Sequence, residues 1–230
     1  KSNSEKYNKL LKNYNFTQFL DSFEAELDNY FLIKLDKTYK IKKYDYKNNG
    51  NILNATFSFK DPLKSIFLEE KINQLSLNNS EIKTNLSKAI NNLKISGNYA
   101  LNNKKLEKFD LENNFKKNLL EFKLNAGFSD TILVDLLNYR KSKNIPSNIY
   151  VNFNKQKKNI NFNELKFSEK KNLISIKGLK LNNNKFKNLE KITVKTFKNG
   201  NKNNDFIIKY GNKILIEGDQ FDALNLPKIL

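Results

Sequence analysis

The chain contains no cysteine, histidine, methionine or tryptophan, and its only arginine is Arg140. Each absence closes a class of chemistry. Without cysteine there are no disulfides and no thiolate nucleophile; without histidine as well, Cys/His zinc sites and imidazole relays are excluded. The near absence of arginine removes the bidentate contacts on which nucleic-acid recognition leans. No apolar run approaches the ~20 residues needed to span a bilayer as a helix. The lack of cysteine is compatible with an oxidising compartment such as a periplasm. The missing methionine, and a helical pattern that starts just before Leu230, make the chain read as a piece of a longer protein.

What is abundant is lysine, asparagine, phenylalanine and tyrosine. The 230 residues carry a net charge of +18, with 18 Phe and 10 Tyr supplying most of the apolar bulk. Lys, Asn, Ile, Phe and Tyr share AT-rich codons, so a biased genome accounts for the charge more readily than a polyanionic partner does. Nucleic acid is accordingly disfavoured as a partner. Lysine at strand edges is also ordinary protection against aggregation.

The spacing predicts a helix over Ser4–Leu20, with Tyr7, Leu10, Leu11 and Tyr14 on one face, and a short continuation through Phe16, Phe19 and Phe23. From about Glu24 the period becomes two. Phe31, Ile33 and Leu35 alternate with Leu32 and Lys34; Asn48-Asn49-Gly50 signals a turn. Leu53, Ala55, Phe57 and Phe59 alternate next, and Asp61-Pro62 breaks that strand. Leu93, Ile95, Gly97, Tyr99 and Leu101 form another run, then Phe109 and Leu111, then Leu120, Phe122, Leu124 and Ala126. A short helix is expected over Asp130–Tyr139. Strands resume at Ile149, Val151 and Phe153, then Ile160 and Phe162, Leu165 and Phe167, Ile174 and Ile176, Leu179 and Leu181, Ile192 and Val194. Phe206, Ile208 and Tyr210, the Gly211-Asn212 turn, and Ile214 and Ile216 make a closing hairpin. Ile95-Ser-Gly97, Ile176-Lys-Gly178 and Ile216-Glu-Gly218 each look like a strand end with a glycine bend.

These strands number about a dozen, more than the usual 4–6 of one sheet. Each is apolar on one side and Asn, Lys, Ser or Thr on the other. Short turns make them antiparallel. Such a sheet closes, folds into a sandwich, or curls into an open trough. A degenerate repeat overlays Phe128 on Phe221, Ser129 on Asp222, Leu133 on Leu226 and Leu136 on Ile229; Asp222 is an N-cap residue for a terminal helix. The chain divides on this reading into a helical segment 1–22, a first β repeat 23–140 and a second 141–230.

The unit Gly218, Phe221, Asp222, Leu226 and Ile229, its weaker copy at Phe128, Ser129, Leu133 and Leu136, and the long run of Asn/Lys-rich amphipathic strands resemble the AsmA-like superfamily, the repeating β-groove proteins of bacterial envelopes, in the branch of YhdP and TamB. The resemblance implies a mainly β fold, a long curved antiparallel sheet open as a groove, with a few short helices. It implies a Gram-negative periplasmic protein anchored in the inner membrane and reaching outer-membrane contacts through parts outside this segment. Its implied role is lipid transport between the two membranes, in outer-membrane biogenesis, with phospholipid acyl chains as the partner. The expected lining is Leu53, Phe57, Leu93, Ile95, Tyr99, Phe122, Leu124, Val151, Phe153, Ile176, Ile208 and Ile216. The alternative is a closed β-sandwich or solenoid module with a structural or adhesive role. Glu69-Glu70, Asp110 and Asp222 sit in no catalytic motif, so neither enzyme activity nor a cofactor or metal is expected.

Overall fold

A computed structural model describes residues 19–225. Leu20–Leu35 (β1), Ile41–Leu63 (β2), Ile72–Ser87 (β3), Ile90–Leu101 (β4), Glu107–Lys116 (β5) and Leu119–Phe128 (β6) follow one another as antiparallel neighbours. Ile132–Val134 (β7) and Tyr139–Lys141 (β8) form a separate two-stranded ribbon. The main sheet then resumes with Ser147–Gln156 (β9), Asn159–Glu169 (β10), Asn172–Asn182 (β11), Lys185–Asn188 (β12), Lys191–Lys198 (β13), Asn201–Tyr210 (β14) and Ile214–Gln220 (β15). β9 pairs directly with β6 across its whole length, so thirteen strands make one sheet with β12 as a short branch on β11. Among the described residues β1 and β15 are the two ends of the sheet and do not pair with each other, so the sheet is not a closed barrel.

The strands run longer than sequence alternation suggests, because the chain bulges within them where a strand end was expected. Asn48-Asn49-Gly50 is no turn; it lies inside the 23-residue β2. Gly50 is there because β1 passes too close for a side chain: a Cβ would strike the Glu26 carbonyl oxygen and lie 2.9 Å from the Leu27 Cα. Gly97, Gly178 and Gly218 likewise lie within β4, β11 and β15 and close none of them. At Gly178 φ is +65°, a conformation glycine adopts without the strain of a Cβ. Ile160/Phe162 and Leu165/Phe167 belong to one strand, β10, in which Asn163 is an unpaired bulge residue. Ile174/Ile176 and Leu179/Leu181 likewise share β11. The strand assignment continues through Asp61-Pro62 to Leu63, although pairing with β3 lapses between Ser58 and Leu63.

The helix expected over Asp130–Tyr139 is not formed. Thr131, Ile132 and Val134 are β-branched and take extended backbone. Only Asp135–Leu137 makes a 3-10 turn, ended by Asn138 at φ 46°. With Phe19, this turn is the only helical conformation among the described residues. Leu20 and Phe23, read as helical, lie in β1, where Leu20 pairs with Phe57 and Phe23 with Ala55. Residues 4–18 of the N-terminal helix expectation and Leu226–Leu230 fall outside the described residues. Replacing Gly50 by Val is expected to destabilise the sheet by roughly 2 kcal/mol or more, because the clash is with rigid backbone; a shift of the urea midpoint measures it, and an unchanged midpoint contradicts the close approach.

Candidate functional site

Directly opposed residues of an antiparallel pair share a face. Following the pairing from strand to strand therefore traces a line across one side of the sheet. Beginning at Leu27 and crossing Gly50, the line continues through Ile82, Ile95, Leu111 and Leu124. From Leu124 it passes to Val151, Leu165, Ile176, Ile192, Ile208 and Ile216. Every strand from β1 to β15 on the continuous path contributes one residue, and all are apolar save the glycine. Parallel to this line runs Phe122, Phe153, Phe162 and Leu179, with Phe122 stacked on Phe153 at a centroid distance of 5.0 Å. A third line joins Phe109, Ala126, Ile149, Phe167, Ile174, Val194 and Phe206.

Most of the expected lining lies on this face. Phe57 pairs with Leu75, Leu93 with Thr84 and Asn113, and Tyr99 with Leu77. Leu53 is different: it is the residue skipped in the β1–β2 register, opposite the left-handed Asn79 (φ 45°), while its neighbour Ile52 is buried. Alternation counted Leu53 with Ala55 and Phe57, but the kink at Leu53 and Asn79 puts Ile52 in line instead. The face is half-exposed: Leu93, Ile95, Phe122, Leu124, Val151 and Phe153 all keep partial contact with solvent, and Ile216 is 65% exposed. Among the described residues the β7–β8 ribbon with its 3-10 turn is the only regular structure outside the main sheet to cover it.

That ribbon covers one end. Leu137 and Tyr139 bury against Val194 and Phe206, with Phe167, Ile174, Ile192 and Ile208 packed around them. Asn204, fully buried, donates 2.8 Å bonds to the Leu137 carbonyl and to Thr196 Oγ1, and accepts at 2.9 Å from the Asp222 N–H. Asn138 donates to Asp222 Oδ2 at 2.8 Å. The Asn138 and Asn203 bonds and the Leu224 N–H hold the Asp222 carboxyl below its usual range. Asp222 therefore caps the corner after β15, as its carboxylate accepts from the Leu224 N–H at 3.2 Å, and also clasps the ribbon.

The first copy of the repeat makes the same corner differently. Phe128 is buried beside Ser129, which donates to Glu107, whereas Phe221 stays 44% exposed and packs its edge on Phe206. Leu133 is half-buried in β7, its N–H donating 2.9 Å to the Phe67 carbonyl. Gly218 faces Phe206 in the β14–β15 ladder. Lys141 was not foreseen as a buried residue. Its ammonium donates 2.7 Å to the Asp130 carbonyl and lies 5.6 Å from the centre of the Phe128 ring. Burial pulls its pKa down, with Glu169, Asp130 and Glu107 opposing.

Comparison with protein-family models, with curated proteins and with solved structures finds no match.

Two outcomes follow from this face. Asn113 stands between Leu93 and Phe122, and its carbonyl oxygen is buried with no hydrogen-bond partner among the described residues. Asn113→Leu should raise stability by about 1 kcal/mol, since it removes a desolvated acceptor; a lower denaturation midpoint would contradict this. Burial, then Glu107 and Asp130, push the Tyr99 hydroxyl up to about 12. The folded state thus holds that proton more tightly than the unfolded chain, where tyrosine titrates near ~10. This contribution is intact below pH ~10 and is lost as pH rises to about 12. Tyr99→Phe should flatten the decline of unfolding free energy in that window, and an unchanged slope would count against it.

Proposed function

We propose that this chain is a segment of a periplasmic AsmA-like β-groove protein, in which the apolar face shelters phospholipid acyl chains moving between inner and outer membranes. The observation that carries the reading is the apolar line from Leu27 to Ile216, interrupted only at Gly50 and partly exposed along most of its length. Twelve strands at ~4.8 Å spacing make it a strip roughly 50 Å long. Acyl chains laid on such a strip gain about 0.8 kcal/mol per methylene removed from water.

The trough shape belongs to the same proposal. Bulges increase local twist and bend strands. Here they recur at Leu53 and Asn79, at Asn163 and at Gly178. Curling at those points turns a flat apolar face into a groove whose polar side is outermost. A sandwich built from the same strands would hold Ile95, Leu124 and Val151 in a fully buried core, whereas they are partly exposed.

The test is native mass spectrometry with lipid extraction on the segment purified without detergent from a Gram-negative host. Phospholipid should co-purify, and Ile95→Asp or Leu124→Asp should abolish it while circular dichroism and the unfolding transition stay within ~1 kcal/mol of the parent. Lipid-free protein, or variants that unfold because the charge enters a filled core, would overturn the proposal.

A further inference from the structure

Turns of an antiparallel sheet fall alternately at its two ends, which separates the loops of this chain into two rows. One row consists of residues 34–43, 86–91, 115–120, 154–160, 182–187 and 209–214. These stretches hold fifteen lysines and one acidic residue, Asp36. The other row consists of residues 19–21, 59–74, 100–108, 127–148, 168–173, 196–203 and 218–225. It holds thirteen basic and ten acidic residues. Codon bias raises lysine everywhere; it does not place nearly all of the excess on one row.

The pairing differs as sharply as the count. In the second row Lys104 bridges Glu70 and Asp130, Arg140 meets Glu69 at 2.6 Å, and Lys202 meets Asp205 at 2.7 Å. In the first row, among the described residues, only Lys43 and Lys209 have carboxylate partners, Asp45 and Glu217. Asp36 is engaged within its own turn, accepting from Thr38 N–H and Oγ1 at 2.7 Å and from the Lys40 N–H at 3.0 Å. The lysine row also presents apolar side chains: Tyr39 is 86% exposed, Ile214 64%, Ile41 59% and Phe186 53%. The opposite row exposes apolar side chains as well, among them Ile66, Leu224, Leu106 and Leu63, so what sets the lysine row apart is its uncompensated charge.

We infer that the lysine-bearing row of turns is a docking surface for an anionic lipid bilayer. Six turns on alternate strands stand ~10 Å apart, so the row meets a plane rather than a pocket. Unpaired lysines attract an anionic leaflet, and exposed aromatic and aliphatic side chains enter the head-group layer beside them. Nucleic acid fits less well, because the one guanidinium of the chain, Arg140, lies on the other row and in an ion pair. The inference is independent of the groove, since it uses turns and not the apolar face.

The experiment is vesicle flotation of the whole segment on phosphatidylcholine alone and on equal parts phosphatidylcholine and phosphatidylglycerol. A row variant combines Lys37→Gln, Lys40→Gln, Lys117→Gln, Lys157→Gln and Lys158→Gln. A control removes the same charge from the other row by Lys64→Gln, Lys108→Gln, Lys170→Gln, Lys171→Gln and Lys198→Gln. All ten side chains are exposed and without a carboxylate partner among the described residues. The parent should bind the anionic vesicles only, the row variant should lose at least about tenfold in affinity, and the control should keep its affinity within about twofold. Leu124→Asp should bind as the parent does, which separates this result from the fate of the groove. Equal loss in both variants, equal binding to neutral vesicles, or tighter binding of the parent to single-stranded oligonucleotide than to anionic vesicles at the same salt overturns it.

Discussion

Everything in this sheet depends on keeping apolar side chains on one side of strands too long for uninterrupted alternation. A strand alternates faces with period two, so one extra residue sends every later side chain to the wrong side. The chain uses that slip. In β3, Leu75 and Leu77 sit at odd positions and Ile82 and Leu86 at even ones, yet all four pair into the same face. In β10 the change comes at Asn163, between Phe162 and Leu165, and in β11 at Gly178, between Ile176 and Leu179. Each bulge restores the face that the sequence would otherwise lose.

The polar side is organised by asparagine. Asn154 and Asn161, Asn159 and Asn182, and Asn125 and Asn148 are opposed or adjacent in neighbouring strands and hydrogen-bond through their amides. Such pairs give a solvated face some specificity of register that charge alone would not. At the capped end Asn204 satisfies three groups at once and joins β13, β14, the ribbon and the corner after β15. The folded chain thus has one small closed core under the ribbon and a long, partly exposed apolar face beside it.

The all-antiparallel architecture was legible in the sequence because the alternation is strong from Phe31 onward, and the closing hairpin at Gly211 reads correctly. What could not be read was the length of the strands. Gly50, Gly97 and Gly178 carry the same residue type that marks turns, and only the approach of a neighbouring strand or a positive φ inside a ladder shows that the strand goes on. The apolar spacing of Leu133, Leu136 and Leu137 imitates a helix, and β-branched neighbours override it. The residues of the apolar face were largely legible from alternation, except where the kink replaces Leu53 by Ile52. The cap was not, since Asn203, Asn204 and Lys141 have no local signature and acquire their partners from segments up to 67 residues away.

The central claim is that one face of this sheet meets lipid and the other meets water. Lys123 and Leu124 are consecutive residues of β6 on opposite faces. A photo-crosslinking amino acid placed at each position in turn, irradiated in a Gram-negative cell, compares those faces a single residue apart. The account predicts phospholipid adducts from position 124 and none from 123. Adducts from neither position, or equally from both, would contradict it.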